Sequence, residues 1–533
     1  MSIRADATTE ETTRLDTINS KARKMMRGIS ACRSCFSELF IILLLLGATA
    51  IPSLGADRIE QVNVNWSQVD RVSKTTATLQ VVVNPLLLQG SLIHDPAFQA
   101  LHNLQADYVR FVPWFPYPKL GVAELGPPTA NRTFWDFALV DPLTLDFLDA
   151  TAGHPVVLNF STIPQWMFKT EKPVDYPNDF KEADWNYEQG TELRDPSMKE
   201  VSDYYARLVS WYTQGGFTDE LGKYHDSGHH YDIAYWEILN EPEYEHAITP
   251  QTYTRLYDAV ASAIRHTVPH VKFVGMSLAT PSKSPEFFEY FLDARNHQPG
   301  IPLDAISYHF YAVPTADQTS DIHPFTFFEQ ADHFLDTVRY VESIRRRLSP
   351  QTQTMLNEIG TIRAEDIGQA DPHTNAGTFP PSYWNLSAAV YAYLYAQLAE
   401  LGIDVVGESQ LVGYPTQFPS VSMIDWTTGR PNARYWVLKL LRENFGPGDK
   451  LTETKLATSL VYAQGFITPQ GKKKILVINK RDRTIQLLLP GCARAHMEVV
   501  DQNTGFNPAS SSDLTSDRMA LPGLAVAVVT LAN

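Results

Sequence analysis

The sequence is poor in cysteine and in positive charge, and each shortage excludes a class of protein. It has three cysteines in 533 residues, too few for a small fold held together by disulfides. Lys and Arg total 44 against 60 Asp and Glu, which leaves a formal charge of −16 at pH 7. Because nucleic acid binding depends on cations that displace counterions, this balance argues against nucleic acid as a partner.

The apolar run near the start of the chain is also short. It covers residues 39–46, whereas a transmembrane helix needs about 20 residues. Five basic residues between positions 21 and 33 precede it, and stretches with small residues follow at 48–50 and 54–56. This order is typical of a secretory signal. We therefore expect residues 1–56 to be a signal peptide and the protein to be secreted, periplasmic or at the cell surface. The alternative is a segment retained as a membrane anchor.

The rest of the chain has an ordinary globular composition, 44% hydrophobic and 20% charged. Between residues 76 and 447, short β-branched runs alternate with amphipathic helical patterns such as 253–266 and 328–348, which predicts βα units and a parallel sheet. Eight runs predict strands, at 78–83, 108–112, 156–160, 233–239, 271–277, 305–310, 354–357 and 403–407. Eight strands favour a (β/α)8 TIM barrel, whose active site lies at the C-terminal strand ends. A doubly wound sheet is the alternative, but no Gly-rich dinucleotide turn follows any strand.

The last part of the chain has a different pattern. After Gly446-Pro447-Gly448, β-rich runs at 456–468, 473–479, 484–489, 496–500 and 525–531 are separated by turn residues. We expect residues 448–533 to form a small antiparallel β-sandwich. The segment 57–75 is expected to add a strand to it.

Two glutamates close predicted barrel strands. Glu241 lies in the run 236–243, where the following proline should push its backbone away from the helical region. Glu358 ends the apolar run of the seventh strand. At the C-terminal ends of strands four and seven, both carboxylates can face one cleft. Glycoside hydrolysis requires such a pair, one protonated to assist the leaving oxygen and one ionised to attack or to activate water.

These residues and their neighbours resemble clan A retaining glycoside hydrolases. The resemblance is carried by Asn240-Glu241-Pro242, Glu358, Arg110 after strand two and His309-Phe310-Tyr311 at strand six. Within the clan, the sequence is most similar to glycoside hydrolase family 39, which includes β-xylosidases and α-L-iduronidases. The resemblance covers about residues 76–533, and it implies a barrel followed by a β-sandwich.

The resemblance also implies roles for the two glutamates and the asparagine. Glu241 would be the general acid/base, and Glu358 would be the nucleophile that forms a glycosyl-enzyme intermediate. Asn240 would hydrogen-bond the sugar 2-hydroxyl, a contact that strengthens as the transition state forms.

Three further residues would support this pair. Tyr311 would hold the nucleophile's carboxylate, Arg110 would lie beneath it and favour its ionised form, and His309 would orient the acid. Period-two alternation independently places His309 and Tyr311 on one face of their strand and Phe310 on the other.

Sugar sites use aromatic platforms, since the apolar face of a pyranose stacks on a flat ring. Trp114 and Phe115 follow strand two, Trp166 follows strand three, and Trp426 lies in the loop after strand eight. We expect Trp114, Trp166 and Trp426 to contact substrate.

The sequence predicts no metal site and no cofactor. The cluster His225, His229 and His230 has neither zincin nor zinc-finger spacing, and a Gly-Ser loop is a poor rigid support. Arg363 could meet a uronate carboxylate, but a loop arginine is usually solvated.

The residues therefore indicate an exported retaining glycosidase that hydrolyses a xyloside or uronide-type linkage in an oligo- or polysaccharide. The alternative is a non-catalytic carbohydrate-binding surface protein with a glycosidase-like barrel. The presence of both Glu241 and Glu358 argues against it, because a relic would be free to lose either.

Overall fold

The computed structural model describes residues 59–532 apart from 173–174, 186, 188–189, 316, 367–378 and 414–417. The expected signal or anchor segment, residues 1–56, lies outside the described residues. Among the helices that are described, none combines the length and the apolar character needed to cross a membrane.

Eight parallel strands close into a barrel. Strand eight closes the ring by pairing with strand one, for example Val405 with Thr76 and Glu408 with Leu79. The predicted (β/α)8 barrel is confirmed, and each of the eight predicted strands overlaps a barrel strand. Numbered one to eight in chain order, these are Thr76–Val82, Val109–Val112, Val156–Leu158, Tyr235–Glu237, Lys272–Leu278, Ala305–Ala312, Gln353–Thr361 and Val405–Glu408.

Helices cover the outside of the barrel. The helix Pro250–Thr267 shows why they form: Thr249 accepts a hydrogen bond from the backbone N–H of Thr252, proline occupies the first turn, and a stripe including Tyr257 and Ile264 is buried. The other α-helices are His94–Leu104, Pro118–Gly121, Val140–Ala150, Lys199–Thr213, Pro242–Glu245, Glu286–Phe291, His323–Leu348, Pro381–Leu401 and Ala433–Asn444. Short 3₁₀ turns occur at Pro85–Leu87, Gln165–Met167, Ala294–Asn296, Ala364–Asp366 and Pro419–Val421. A two-stranded hairpin, Gly216–Thr218 with Tyr224–Asp226, precedes strand four.

The barrel interior is filled rather than open. An apolar cluster closes the end where the strands begin, as in other barrels of this size. Its buried members are Val157, Tyr235, Val274, Ala305, Met355 and Val405.

A second sheet has nine strands, of which eight follow the barrel in the chain, while the strand expected within residues 57–75 precedes it. That strand, Ile59–Val72, pairs antiparallel with Lys450–Leu456 and parallel with Ile485–Leu488. The remaining strands, all paired antiparallel, are Val461–Ile467, Lys473–Asn479, His496–Val500, Ser510–Asp513, Arg518–Leu521 and Val526–Thr530. The sheet curls so that strands from both of its ends share one apolar core.

The curled sheet packs on the helices that follow strands seven and eight. Tyr393 meets Tyr462 edge to face, with ring centroids 5.2 Å apart. Phe445 and Phe466 lie 4.3 Å apart. Aromatic contacts of this kind contribute beyond the area that they bury.

Candidate active site

The guanidinium of Arg110 lies at the centre of a buried network inside the barrel. Burial lowers the pKa of Arg110, but the charges of Glu237 and Glu358 outweigh this effect and raise it. The group is therefore a fixed cation below the mouth of the barrel. It donates hydrogen bonds to Glu237, to Gln80 Oε1 (2.7 Å), Glu358 Oε1 (2.5 Å), Asn240 Oδ1 (2.7 Å) and Ser277 Oγ (3.0 Å).

Glu237 is the lower carboxylate of this network, and sequence reasoning missed it. It is fully buried on strand four. Besides Arg110, it accepts hydrogen bonds from Asn159 Nδ2 (2.6 Å) and Asn357 Nδ2 (2.7 Å). A charged residue within the apolar run of a barrel strand was the available signal. Glu237 therefore lies below Arg110 in the barrel and holds the guanidinium in place.

Glu358 is the upper carboxylate, at the predicted position on strand seven. Its Oε1 accepts from Arg110, and its Oε2 accepts from the Tyr311 hydroxyl at 2.7 Å. Burial raises the pKa of Glu358, but the charges of His309 and Arg110 and the Tyr311 hydrogen bond outweigh it, and the pKa is lowered. Glu358 is therefore ionised at neutral pH.

A bulge in strand seven aims Glu358 into the mouth of the barrel. The consecutive side chains of Asn357 and Glu358 both bond to groups inside the barrel, which strict period-two alternation forbids. The pairing with strand six shifts register between Met355 and Glu358. Bulges next to active sites commonly re-aim a side chain in this way.

Glu241 follows strand four with an unusual backbone. Its φ and ψ are 42° and 51°, in the left-handed region rather than the extended one. The proline does keep it out of the right-handed helical region, as expected, but the alternative that it takes is uncommon for a residue other than glycine. Leu239, Met276 and Ser277, at the ends of strands four and five, also have positive φ. Strain of this kind clusters at functional sites.

His309 joins the two glutamates. Its Nδ1 lies 2.9 Å from Glu241 Oε1 and 3.5 Å from Glu358 Oε2, and its Nε2 lies 2.9 Å from Ser277 Oγ. Burial lowers the pKa of His309, but the Glu358 charge and the hydrogen bond to Glu241 outweigh it and raise the pKa. One ligand-type atom each from Glu241, His309 and Glu358 lies within 4.8 Å of the others. The structure thus brings the two predicted carboxylates together.

His309 and Tyr311 face the interior, as the alternation predicts. Phe310 points outward and stacks on Phe334 of the helix after strand six, at 4.5 Å. Burial and the charge of Glu358 raise the pKa of Tyr311 well above its usual value. Its hydroxyl therefore stays protonated as a donor to the carboxylate.

Within the described part of the chain, Glu241, His309 and Glu358 form the one cluster with spacing suited to a metal ion. The Arg110 guanidinium at 2.5 Å from Glu358 opposes a cation there. The histidine-rich loop forms separate pairs instead, His225 with Asp219 at 2.9 Å and His229 with Asp141 at 3.0 Å.

A cavity of about 780 Å³ opens above the two glutamates. Trp114 and Phe115, the two aromatic residues that follow strand two, line it. Sequence reasoning missed four other aromatic side chains of its wall, because they come from segments that follow three different barrel strands. They are Trp185, Tyr187, Tyr244 and Phe418.

Trp166, Trp426 and Arg363 are not among the residues that line this cavity. Trp166 is buried in packing, where its Nε1 donates to the backbone carbonyl of Glu124 at 2.9 Å. Trp426 meets the edge of Phe379 at 5.8 Å, and Arg363 lies over the same ring at 5.0 Å. The expected substrate contacts of these two tryptophans are replaced by packing within the loops.

Two more residues tie the site together. The hydroxyl of Ser409, just after strand eight, lies 2.7 Å from both the Tyr311 hydroxyl and Gln80 Nε2. Glu245 Oε1 accepts from Asn240 Nδ2 (2.8 Å) and Trp114 Nε1 (2.7 Å). Sequence reasoning found neither, since each role depends on partners from other strands.

No protein-family model and no curated protein sequence matches this chain. Solved structures do match its fold. A glycoside hydrolase family 51 arabinofuranosidase from Xanthomonas axonopodis pv. citri is similar at a TM-score of 0.56 and 12% identity, over 89% of this chain and 100% of that one. A family 30 endoxylanase from Clostridium papyrosolvens is similar at a TM-score of 0.53 and 13% identity, over 89% of this chain and 100% of that one. A glucosidase from Croceicoccus marinus is similar at a TM-score of 0.53 and 16% identity, over 90% of this chain and 100% of that one. This chain therefore shares the fold of these three glycosidases.

Proposed function

We propose that this protein is a retaining glycoside hydrolase, with Glu241 as general acid/base and Glu358 as nucleophile. One observation carries the proposal: an oxygen of each carboxylate and a ring nitrogen of His309 lie within 4.8 Å of one another at the barrel mouth. Retaining enzymes hold their carboxyl groups about 5 to 5.5 Å apart, whereas inverting enzymes leave about 6.5 Å or more for a water.

The surroundings of the two carboxylates suit different tasks. Glu358, held ionised by Arg110 and Tyr311, would attack the anomeric carbon as Glu241 protonates the departing oxygen. A covalent glycosyl ester on Glu358 would result. Glu241, now ionised, would then take a proton from water, which would attack the same carbon and release Glu358. His309, 2.9 Å from Glu241, would hold its carboxyl in position.

We propose that Asn240 donates its Nδ2–H to the sugar 2-hydroxyl. Its Oδ1 accepts from Arg110 at 2.7 Å, which turns the amide nitrogen toward the cavity wall. Such a contact strengthens when charge develops at the anomeric centre.

We propose a neutral glycoside, and a pentoside first, over a uronide. Glu241, Glu245 and Glu358 line the cavity, and Arg110 is already engaged by two carboxylates. A uronate carboxylate would meet like charge there. Trp114 offers a ring on which an apolar sugar face can stack. An arabinofuranosidase and xylanases are among the structures of similar fold.

Membership of glycoside hydrolase family 39 remains a proposal within the clan. The run Asn240-Glu241-Pro242 and the β-sheet domain after the barrel support it. We also propose that the protein is exported, on the order of basic, apolar and small residues in segment 1–56. N-terminal sequencing of the protein recovered from its native culture medium tests this.

The test of the activity is release of 4-nitrophenol from a panel of aryl glycosides: β-D-xyloside, α-L-arabinofuranoside, β-D-glucoside and β-D-glucuronide. We expect release from a pentoside, no activity in Glu358→Ala, and a lower rate of release in Glu241→Ala. Binding of xylo-oligosaccharides without release from any substrate would instead favour a non-catalytic carbohydrate-binding protein.

A further inference from the structure

Glu245 lies four residues beyond Glu241, at the end of the short helix that follows strand four. We infer that Glu245 is a positioning residue, whose carboxylate fixes the Asn240 amide for its contact with the sugar 2-hydroxyl. This inference rests on the proposed function. The juxtaposition that carries it is one carboxylate oxygen accepting from both Asn240 Nδ2, at 2.8 Å, and Trp114 Nε1, at 2.7 Å.

The hydrogen-bond partners leave the Asn240 amide one orientation. Arg110 Nη2 and Ser277 Oγ lie 2.7 and 3.2 Å from Oδ1, and Glu245 lies on the opposite side at Nδ2. A guanidinium only donates and an ionised carboxylate only accepts. A flipped amide would place its NH₂ against the guanidinium and its oxygen against the carboxylate, so both sides oppose a flip.

Trp114 fixes the carboxylate in turn. The indole N–H only donates, and its ring is held edge to face by Phe115 at 5.0 Å and Trp185 at 5.3 Å. The Glu245 carboxylate cannot rotate without breaking its bonds to both Trp114 and Asn240. The cavity wall and the 2-hydroxyl contact are thereby linked through one side chain.

The side-chain amide nitrogen of Asn240 carries two hydrogens. One of these hydrogens bonds to Glu245. Because Asn240 is buried and lines the cavity, the direction of the second N–H bond is then fixed. A donor held in place before the transition state forms needs no reorganisation when charge develops. Glu245 therefore acts on the reaction through Asn240.

The experiment measures kcat/KM on the panel glycoside that the wild type cleaves fastest and on its 2-deoxy counterpart. Glu245→Met removes the acceptor, and Glu245→Gln keeps an oxygen for both donors. Glu243→Gln, on the same helix but bonded to the Thr280 backbone N–H at 2.8 Å, is the matched control. Glu245→Asp, which withdraws the carboxylate by one methylene, replaces the methionine variant if that one does not fold.

We expect Glu245→Met to lower kcat/KM about 10- to 100-fold on the parent glycoside, the effect of losing a charged hydrogen bond. On the 2-deoxy substrate the loss should be under about threefold, because the contact that Glu245 supports is absent. Glu245→Gln should stay close to wild type on both substrates. Adding Glu245→Met to Asn240→Ala should cost little more than Asn240→Ala alone.

An equal loss on both substrates, or a Glu245→Gln variant as impaired as Glu245→Met, would overturn the positioning role while leaving the glycosidase intact. Independent, additive losses in the Asn240→Ala background would overturn it too. A wild-type protein inactive on every glycoside of the panel would instead refute the proposed function, and the inference with it.

Discussion

The Arg110 guanidinium bonds two carboxylates at different heights in the barrel, Glu237 below and Glu358 above. The lower carboxylate also accepts from side-chain amides, and the upper one faces the cavity. The Arg110 cation therefore stabilises the buried core through Glu237, and it is also the counter-charge of Glu358, the reacting carboxylate. The first role affects the stability of the fold, and the second affects the ionisation of Glu358.

Replacing the guanidinium with a neutral side chain should destabilise the fold. In Arg110→Met, Glu237 would be a buried carboxylate without its cation, and breaking such a pair costs about 3–5 kcal/mol. Urea unfolding should show the loss as a lower midpoint. Arg295→Gln is the control, because the Arg295 side chain is exposed beside Asp293. Equal midpoints for the two variants would contradict the role of Arg110.

The hydroxyl of Tyr311 should set part of the pH dependence. The lowered pKa of Glu358 means that kcat/KM falls only when the pH drops through a value below the usual carboxyl range. Tyr311→Phe removes a donor to the ionised form, so the pKa of Glu358 rises and the acid limb moves to higher pH. We expect a loss of about tenfold at the optimum, from one hydrogen bond to a charged group.

The control for this profile is Tyr393→Phe, since Tyr393 bonds to Asp332 away from the cavity. Its acid limb should coincide with that of the wild type. An unshifted acid limb in Tyr311→Phe would show that the tyrosine does not act on the ionisation of Glu358.

At the scale of elements, close contact between strands and helices shapes the barrel wall. Strand five passes the helix Glu286–Phe291 at Gly275, where an added Cβ would lie 2.4 Å from the Phe291 ring. Both residues are buried in the barrel wall. The glycine is thus required by space, and not by its own backbone conformation.

Gly275→Ala should therefore destabilise the protein by about 1–3 kcal/mol, the usual cost of overpacking a core. Thermal unfolding measures it, and Gly275→Ala combined with Phe291→Leu should recover part of the loss. Gly446→Ala is the matched control, because a Cβ there meets nothing within 4 Å. A Gly275→Ala variant as stable as this control would show that the packing yields easily.

The barrel strands could be predicted because a strand that is buried on both faces needs a continuous apolar run, and each barrel strand has one. Strands Ser510–Asp513 and Arg518–Leu521 escaped prediction, since the first is exposed throughout and the second is half exposed. The bulge at Glu358 also lies beyond a periodicity argument, because it depends on pairing with strand six.

The site divides in the same way. Glu241 could be placed at the mouth from strand order, and Tyr311 from strand order together with the alternation of side chains along strand six. Glu237, Glu245 and Ser409 could not, since each has a partner that comes from another strand, such as Trp114 for Glu245, and a pattern within one strand does not contain it. Trp166 and Trp426 show why cavity-lining aromatic residues are hard to predict from sequence. A position in a loop does not determine the direction in which the ring packs.

At the scale of the whole molecule, the chain enters and leaves the barrel through the curled sheet. Strand Ile59–Val72 precedes barrel strand one and pairs with Lys450–Leu456, which follows the barrel's last helix. The two ends of the barrel sequence are thereby joined by one antiparallel pair. This arrangement predicts that the barrel and the sheet unfold together.

Calorimetry should accordingly show a single unfolding transition for the protein. A variant ending at residue 447 would leave Ile59–Val72 without its partner strands and should be insoluble or largely unfolded. Two separate transitions, or a truncated protein with full stability, would contradict the coupling.

The role of Glu358 as the nucleophile of a retaining glycosidase is tested most directly by covalent trapping. The protein is treated with activated 2-deoxy-2-fluoro glycosides of the panel sugars, and the product is analysed by mass spectrometry. The fluorine slows both the formation and the hydrolysis of the glycosyl-enzyme. A good leaving group makes formation faster than hydrolysis, so a retaining enzyme accumulates this intermediate. We expect a mass increase of one fluoroglycosyl group, located on the peptide that contains Glu358 and absent in Glu358→Ala. A label on another residue, or turnover of the parent glycoside with inverted configuration in the first product, would contradict it.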